Sequence, residues 1–209
     1  MSDSDQKIPL FYSQKLIAKY EHNGNISSFL NQIIKHNEKV NLVSRETNLG
    51  GLVNLAAESL VPFEFFPIPT GKIFDIGPGG GFPSIIVMLA FPNLDGLLFE
   101  RTGKKAHFLE LIIKEFGLSA LVIGDDFLQA SRNIPKSDFD FGFMKYVSLD
   151  RKLLKGALKL LKNDGRFIYY SRLDSSLVKK DLHSSIESHS YYLNVCEVVR
   201  TLVAFSPKR

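Results

Sequence analysis

Three observations in the sequence predict an α/β fold with a mostly parallel sheet. Short, nearly continuous apolar runs recur, as expected of strands buried on both faces. They alternate with stretches whose apolar residues return at three-and-four spacing, the pattern of amphipathic helices. The first of the runs opens into a glycine-rich turn followed by a helix, the arrangement that puts backbone against a ligand in doubly wound sheets. The 209 residues suit one generous domain with an added subdomain. We place an N-terminal helical extension at residues 1–68 and an α/β core at 69–209.

In chain order, Leu10 to Tyr20 predicts a helix, with Leu10, Phe11, Leu16, Ile17 and Tyr20 on one side. Asn23-Gly24-Asn25 ends it, and Ile26, Phe29, Leu30, Ile33 and Ile34 repeat the pattern behind Asn25 or Ser27 as cap. Val53 to Phe66 predicts a third helix, stopped by Pro67 and Pro69. Strands follow at Lys72–Gly77, Leu94–Glu100, Ala120–Ile123, Phe139–Met144 and Arg166–Tyr170. Between them stand helices at Ser84–Ala90, with Pro83 at its first position, at Lys104–Phe116 with Gly117 as its stop, and at Leu149–Leu161, ended by Asn163-Asp164-Gly165. The tail reads as a helix over Leu177–Ser188 and two strands, Tyr191–Val199 and Leu202–Phe205, forming an antiparallel hairpin that closes the sheet.

Composition narrows the class. With 44% hydrophobic and 23% charged residues, the chain is neither disordered nor collagen-like. A lone cysteine, Cys196, excludes an internal disulfide and reads as a core residue. The polar start MSDSDQK lacks an apolar segment behind a basic one, and the longest apolar stretch, Ile85 to Phe91, is too short for a bilayer. The expectation is a cytoplasmic monomer. Charge is unevenly placed: the net +4 divides into 7 basic against 10 acidic residues up to position 100 and 19 against 12 beyond it. Segment 145–180 holds ten basic residues against three acids, which points to a polyanionic partner.

The peptide Phe74-Asp75-Ile76-Gly77-Pro78-Gly79-Gly80-Gly81-Phe82-Pro83 carries the ligand site. The dinucleotide fingerprint would need glycine where Phe82 stands, and no Walker lysine follows. The peptide instead resembles the D-x-G-x-G-x-G form of class I, Rossmann-like methyltransferases that use S-adenosylmethionine. Asp75, Gly77, Gly79, Gly81 and Phe82 are then cofactor-binding candidates. Glu100, about twenty residues on at the end of the second strand, is placed to accept from ribose hydroxyls. After the third strand, Asp125 and Asp126 would meet the adenine amino group, and Phe127 would cover the ring.

Absences constrain the methyl acceptor. Covalent attack at C5 of a pyrimidine needs a cysteine nucleophile, and Cys196 lies far in topology from the glycine peptide. Exocyclic amines are commonly methylated with an Asn/Asp-Pro-Pro-aromatic peptide after strand four, where this chain has Phe143-Met144-Lys145-Tyr146. The five histidines show no metal spacing, and no CxxC is present, so no metal site is expected. An acceptor with an exposed lone pair, such as guanine N7, needs positioning and no general base. Lys145 would then fix the nucleotide, through a phosphate or through guanine O6.

Further peptides carry a family resemblance. Asn37-x-x-x-Asn41-Leu42-Val43-Ser44-Arg45-Glu46, Glu58-Ser59-Leu60, the glycine peptide and Glu100-x-x-x-Lys104-Lys105-x-x-Phe108-Leu109 occur in that order. Over roughly residues 30 to 170 the chain resembles the RsmG family, also called glucose-inhibited division protein B. The resemblance implies guanine-N7 methylation of small-subunit ribosomal RNA near the decoding centre, with ribosomal RNA or the small subunit as partner. It implies cofactor contacts at Gly77, Phe82 and Asp125-Asp126, and puts Lys145 in the place of the family's arginine. Leu55 stands where the family has histidine, Gly124-Asp125-Asp126-Phe127 replaces its Arg-x-Glu-Glu, and Ser171-Arg172 replaces its Lys-Gly.

An RNA methyltransferase would hold phosphates with Lys104, Lys105, Lys152, Lys155, Lys159 and Arg172. Two other readings stay open at this level: a methyltransferase with a protein or small-molecule acceptor, and an inactive relative that keeps the cofactor or RNA site.

Overall fold

The computed structural model describes residues 7–173, 184–194 and 198–208. The predicted α/β architecture is present as an eight-stranded sheet ordered β1-β7-β8-β6-β5-β2-β3-β4. Its central strands are β2 (Gly71–Ile76), β3 (Leu94–Phe99), β4 (Ala120–Ile123), β5 (Phe139–Met144) and β6 (Leu161–Tyr169), all parallel. β8 (Arg200–Pro207) runs antiparallel to β6 and to β7 (Ser184–Leu193). The short strand β1 (Leu10–Phe11) adds parallel to β7.

Helices cover both faces. One apolar cluster joins the sheet to α1 (Ser13–Tyr20), α2 (Asn25–Val40), α3 (Leu49–Leu60), α4 (Ser84–Ala90) and α5 (Gly103–Phe116). A second, on the opposite face, joins Phe74, Phe139 and Phe167 to α6 (Phe127–Ala130) and α7 (Arg151–Leu160). The chain thus crosses on one face before and after β3 and on the other before and after β5. β2 and β5 are neighbours, so the strand order reverses between them and a crevice opens beyond their carboxyl ends.

The N-terminal helices form as their apolar spacing predicts. Ile26, Phe29, Leu30 and Ile33 of α2 are all buried, and Asn41, in the left-handed region at φ 49°, ends the helix. α3 begins at Leu49, four residues before the predicted start, because the Asn48 side chain accepts from the Gly51 N–H at 2.9 Å. Residues Val61–Glu64 tighten into a 3₁₀ turn around Pro62.

Four expectations need correction. Leu10 and Phe11 belong to β1, where the Asn194 N–H donates to the Phe11 carbonyl and the Tyr192 N–H to that of Pro9. Ser184 to Ser188 lie in β7 and not in a helix, because their backbone is committed to an eight-pair ladder with β8; tertiary pairing overrides local pattern here. Residues 177–183, and Cys196, lie outside the described residues. β6 starts at Leu161, and Asn163-Asp164-Gly165 forms a register irregularity against β5 instead of a break before the strand. Pro83 caps α4 and does not occupy its first turn.

Candidate active site

A cavity of about 580 Å³ lies at the carboxyl ends of β2, β3 and β5, within the range of small-molecule sites. Its floor is the loop after β2. Gly77 has φ 74°, its N–H donates to the Phe99 carbonyl at 2.9 Å, and a Cβ there would stand 2.8 Å from a Val147 methyl. Only glycine lets the ends of β2 and β5 close to this distance. A Cβ on Gly80 would meet the Leu42 carbonyl oxygen at 3.1 Å. The segment between α2 and α3 therefore roofs the loop, and Leu42, Val43, Ser44 and Thr47 line the cavity.

Glu100, buried at the end of β3, braces the loop: Oε2 accepts from the Gly79 N–H at 3.0 Å and Oε1 from the Thr102 N–H at 2.8 Å. Each carboxylate oxygen keeps a lone pair for a further donor on the cavity side. Beyond β4, the Asp126 side chain accepts from the Leu128 N–H at 2.9 Å and so starts α6, while the exposed Asp125 accepts from the Asp126 N–H at 2.7 Å. Phe127 lines the wall and packs edge-on against Phe99, ring centroids 5.0 Å apart.

Opposite, at the end of β5, the buried Lys145 ammonium lies 2.7 Å from the Glu58 carboxylate of α3. The other Glu58 oxygen takes Arg200 of β8 at 2.6 Å. Burial pushes Lys145 below the ordinary lysine range and Glu58 opposes that shift. Burial would raise Glu58, but Lys145 and Arg200 prevail and hold it below the usual carboxylate value. Burial alone favours the neutral amine, and the ion pair with Glu58 offsets it while fixing the Lys145 side chain behind the cavity wall.

The glycine cradle, the carboxylate at the end of β3 and the acids after β4 form a concave site whose donors and acceptors fit an adenosyl and amino-acid ligand. A family model described as rRNA small subunit methyltransferase G matches residues 22–199. The chain belongs to that family. Ribosomal RNA small subunit methyltransferase G of Prochlorococcus marinus is 27% identical over 209 residues, covering 93% of this chain and 82% of that one. The protein of the same name from Mycoplasma capricolum is 33% identical over 137 residues, 65% of this chain and 58% of that one. A putative O-methyltransferase from Klebsiella pneumoniae has the same fold, with TM-score 0.66 at 12% identity over 94% of this chain and 96% of that one. A SAM-dependent O-methyltransferase from Thermotoga maritima gives TM-score 0.56 at 15% identity, covering 87% and 72%. The fold is that of class I methyltransferases, and this family member is an S-adenosylmethionine-dependent enzyme.

In the methyltransferase, Gly77, Gly79, Phe82, Glu100, Asp125, Asp126, Phe127 and Lys145 all line the cavity. Asp75 and Gly81, read from the sequence as cofactor contacts, stand behind its wall. The Asp75 side chain is fully buried and accepts from the Ser84 N–H at 3.2 Å at the start of α4. Gly81 answers a packing need: a Cβ there would come within 2.7 Å of Ile85 and 3.1 Å of the Phe29 ring. Of the basic residues expected to meet RNA, Lys105 lines the cavity. Lys104 and Arg172 are exposed just past β3 and β6, on the same edge of the sheet, and Lys152, Lys155 and Lys159 share the exposed side of α7. Sequence reading missed Tyr146, Arg101, Ser44 and Thr47 on the wall, and Arg200 behind it. Only the Asn-Leu-Val-Ser-Arg peptide had signalled the roof. Among the described residues, no helix is long and apolar enough to cross a membrane.

Proposed function

We propose that this methyltransferase transfers the methyl group of S-adenosylmethionine to N7 of a guanine in small-subunit ribosomal RNA. The observation that carries the reading is Lys145 at the cavity wall, its buried ammonium ion-paired to Glu58 at 2.7 Å. Bound in the cavity, the cofactor supplies an electrophilic methyl on a sulfonium sulfur. Guanine N7 presents its lone pair in the plane of the ring, so no residue need remove a proton. The work left to the chain is orientation. Glu100 would hold the ribose hydroxyls with the lone pairs its two backbone bonds leave open. Lys145 would donate to guanine O6 or to a phosphate, and Glu58 keeps it charged for either role. Lys104, Lys105, Arg172 and the lysines of α7 would bind the phosphates around the target.

The test is transfer of labelled methyl to small ribosomal subunits that lack N7-methylguanine, followed by nucleoside analysis. Label recovered as N7-methylguanosine is expected. Label in another nucleoside would move the acceptor atom. No label, while an active family member labels the same subunits, would remove ribosomal RNA as the substrate.

A further inference from the structure

Tyr146 follows Lys145 at the end of β5 and belongs to none of the roles above. It is the most exposed large hydrophobic side chain among the described residues, at 76%, yet it lies on the wall of the cavity. Its φ of 59° is in the left-handed region, which a bulky side chain occupies at a cost that glycine or asparagine would avoid. Such strain beside a ligand cavity is expected where the side chain itself is wanted there. The next residue, Val147, is the one against which Gly77 closes, so the tyrosine stands one residue from the point where the glycine loop and β5 meet. Lys145 Nζ lies 5.2 Å from the centroid of the ring and is itself tied to Glu58. One side of the ring is therefore anchored, and most of its remaining surface faces open space.

We propose that the Tyr146 ring is the platform on which the acceptor base stacks. This rests on the reading of a guanine in RNA as the acceptor. An enzyme that brings a base edge into an enclosed cavity takes the base out of its own stack, and an aromatic face replaces the lost stacking. Methyl transfer itself favours an aromatic face at this place. The methyl carbon–sulfur bond breaks as the carbon–N7 bond forms, no proton moves, and the positive charge passes from sulfur to the purine. A ring face attracts that cation more than it attracts the neutral base.

The chain has no tryptophan, so Tyr146→Trp places the variant's single tryptophan at the platform, where its emission can be excited apart from that of the tyrosines. Titration with 7-methylguanosine monophosphate should quench its emission saturably, whereas Tyr12→Trp, placed away from the cavity, should show only collisional quenching. In the methyl-transfer assay, Tyr146→Ala should lose about tenfold or more in kcat/KM for subunits, the scale of one stacked base. Tyr146→Phe and Tyr146→Trp should restore most of it, and cofactor affinity should change less than about twofold in all three, since the platform faces the base. Tyr146→Gly relieves the left-handed strain, so it should be at least as stable as the parent and still be impaired. Full activity of the Ala and Gly variants, on subunits that the parent labels, would overturn the platform and leave the N7 reading intact. If the parent labels no subunits, the N7 reading fails, and the quenching comparison alone decides: equal quenching at positions 146 and 12 overturns the platform.

Discussion

Asp75 and Glu100 sit at adjacent strand ends, and their surroundings give them different tasks. Glu100 is held by two backbone donors at the edge of the cavity. Asp75 is fully buried, with one backbone donor from Ser84, and burial pushes its carboxyl up to about 8. The native state therefore binds a proton that the unfolded chain, titrating near 4, has released. Between about pH 4 and pH 8 stability should fall as pH rises, by no more than about 1.4 kcal/mol per unit. Asparagine at this position does not titrate. Melting temperatures of Asp75→Asn and the parent, compared from pH 5 to pH 8, should diverge in favour of the variant as pH rises. Parallel profiles would show that Asp75 stays ionised in the fold. At this scale Gly77, Gly79 and Glu100 were legible as cavity residues because backbone approach and strand-end position leave a local pattern. Tyr146 and Arg200 were not: one matters through a backbone angle, the other through Glu58, 142 positions earlier in the chain.

Helix α7 serves the fold on one side and leaves three lysines exposed on the other. Leu154, Ala157 and Leu160 are buried against the sheet, Asp150 caps the start by accepting from the Leu153 N–H at 2.8 Å, and Lys152, Lys155 and Lys159 are exposed. Changing the three lysines to glutamine should weaken binding to small subunits and flatten its salt dependence, lowering the log–log slope by about 2. Melting temperature and cofactor affinity should hold, because none of the three touches the core or the cavity. An unchanged slope, measured by filter binding across a salt series, would take the RNA contact off this helix. The parallel elements were readable because each carries a continuous apolar run or a clear helical stripe in its sequence. β1 and β7 were not. They are sheet-edge pieces whose identity comes from pairing with each other and with β8, and neither carries a strong alternation of its own.

On the scale of the molecule, the N-terminal helices are part of the machinery around the cavity. Their apolar residues share one cluster with the sheet, α2 and α3 bracket the segment that roofs the glycine loop, and Glu58 of α3 ties together the ends of β5 and β8. The Ser13–Asn54–Asn194 hydrogen bonds fasten α1 and α3 to the end of β7. Composition could suggest a helical extension and a core, but not that one carboxylate joins them at the wall of the site. This wall, from the glycine loop to Glu100, is where the cofactor is expected to bind. Calorimetric titration of S-adenosylmethionine into the full chain, beside Glu100→Ala, tests it most directly. Loss of a charge-assisted ribose contact should cost roughly 1.5–3 kcal/mol of affinity, about ten- to over a hundredfold, in a variant whose melting curve shows it folded. Equal affinity in a folded Glu100→Ala would place the cofactor elsewhere.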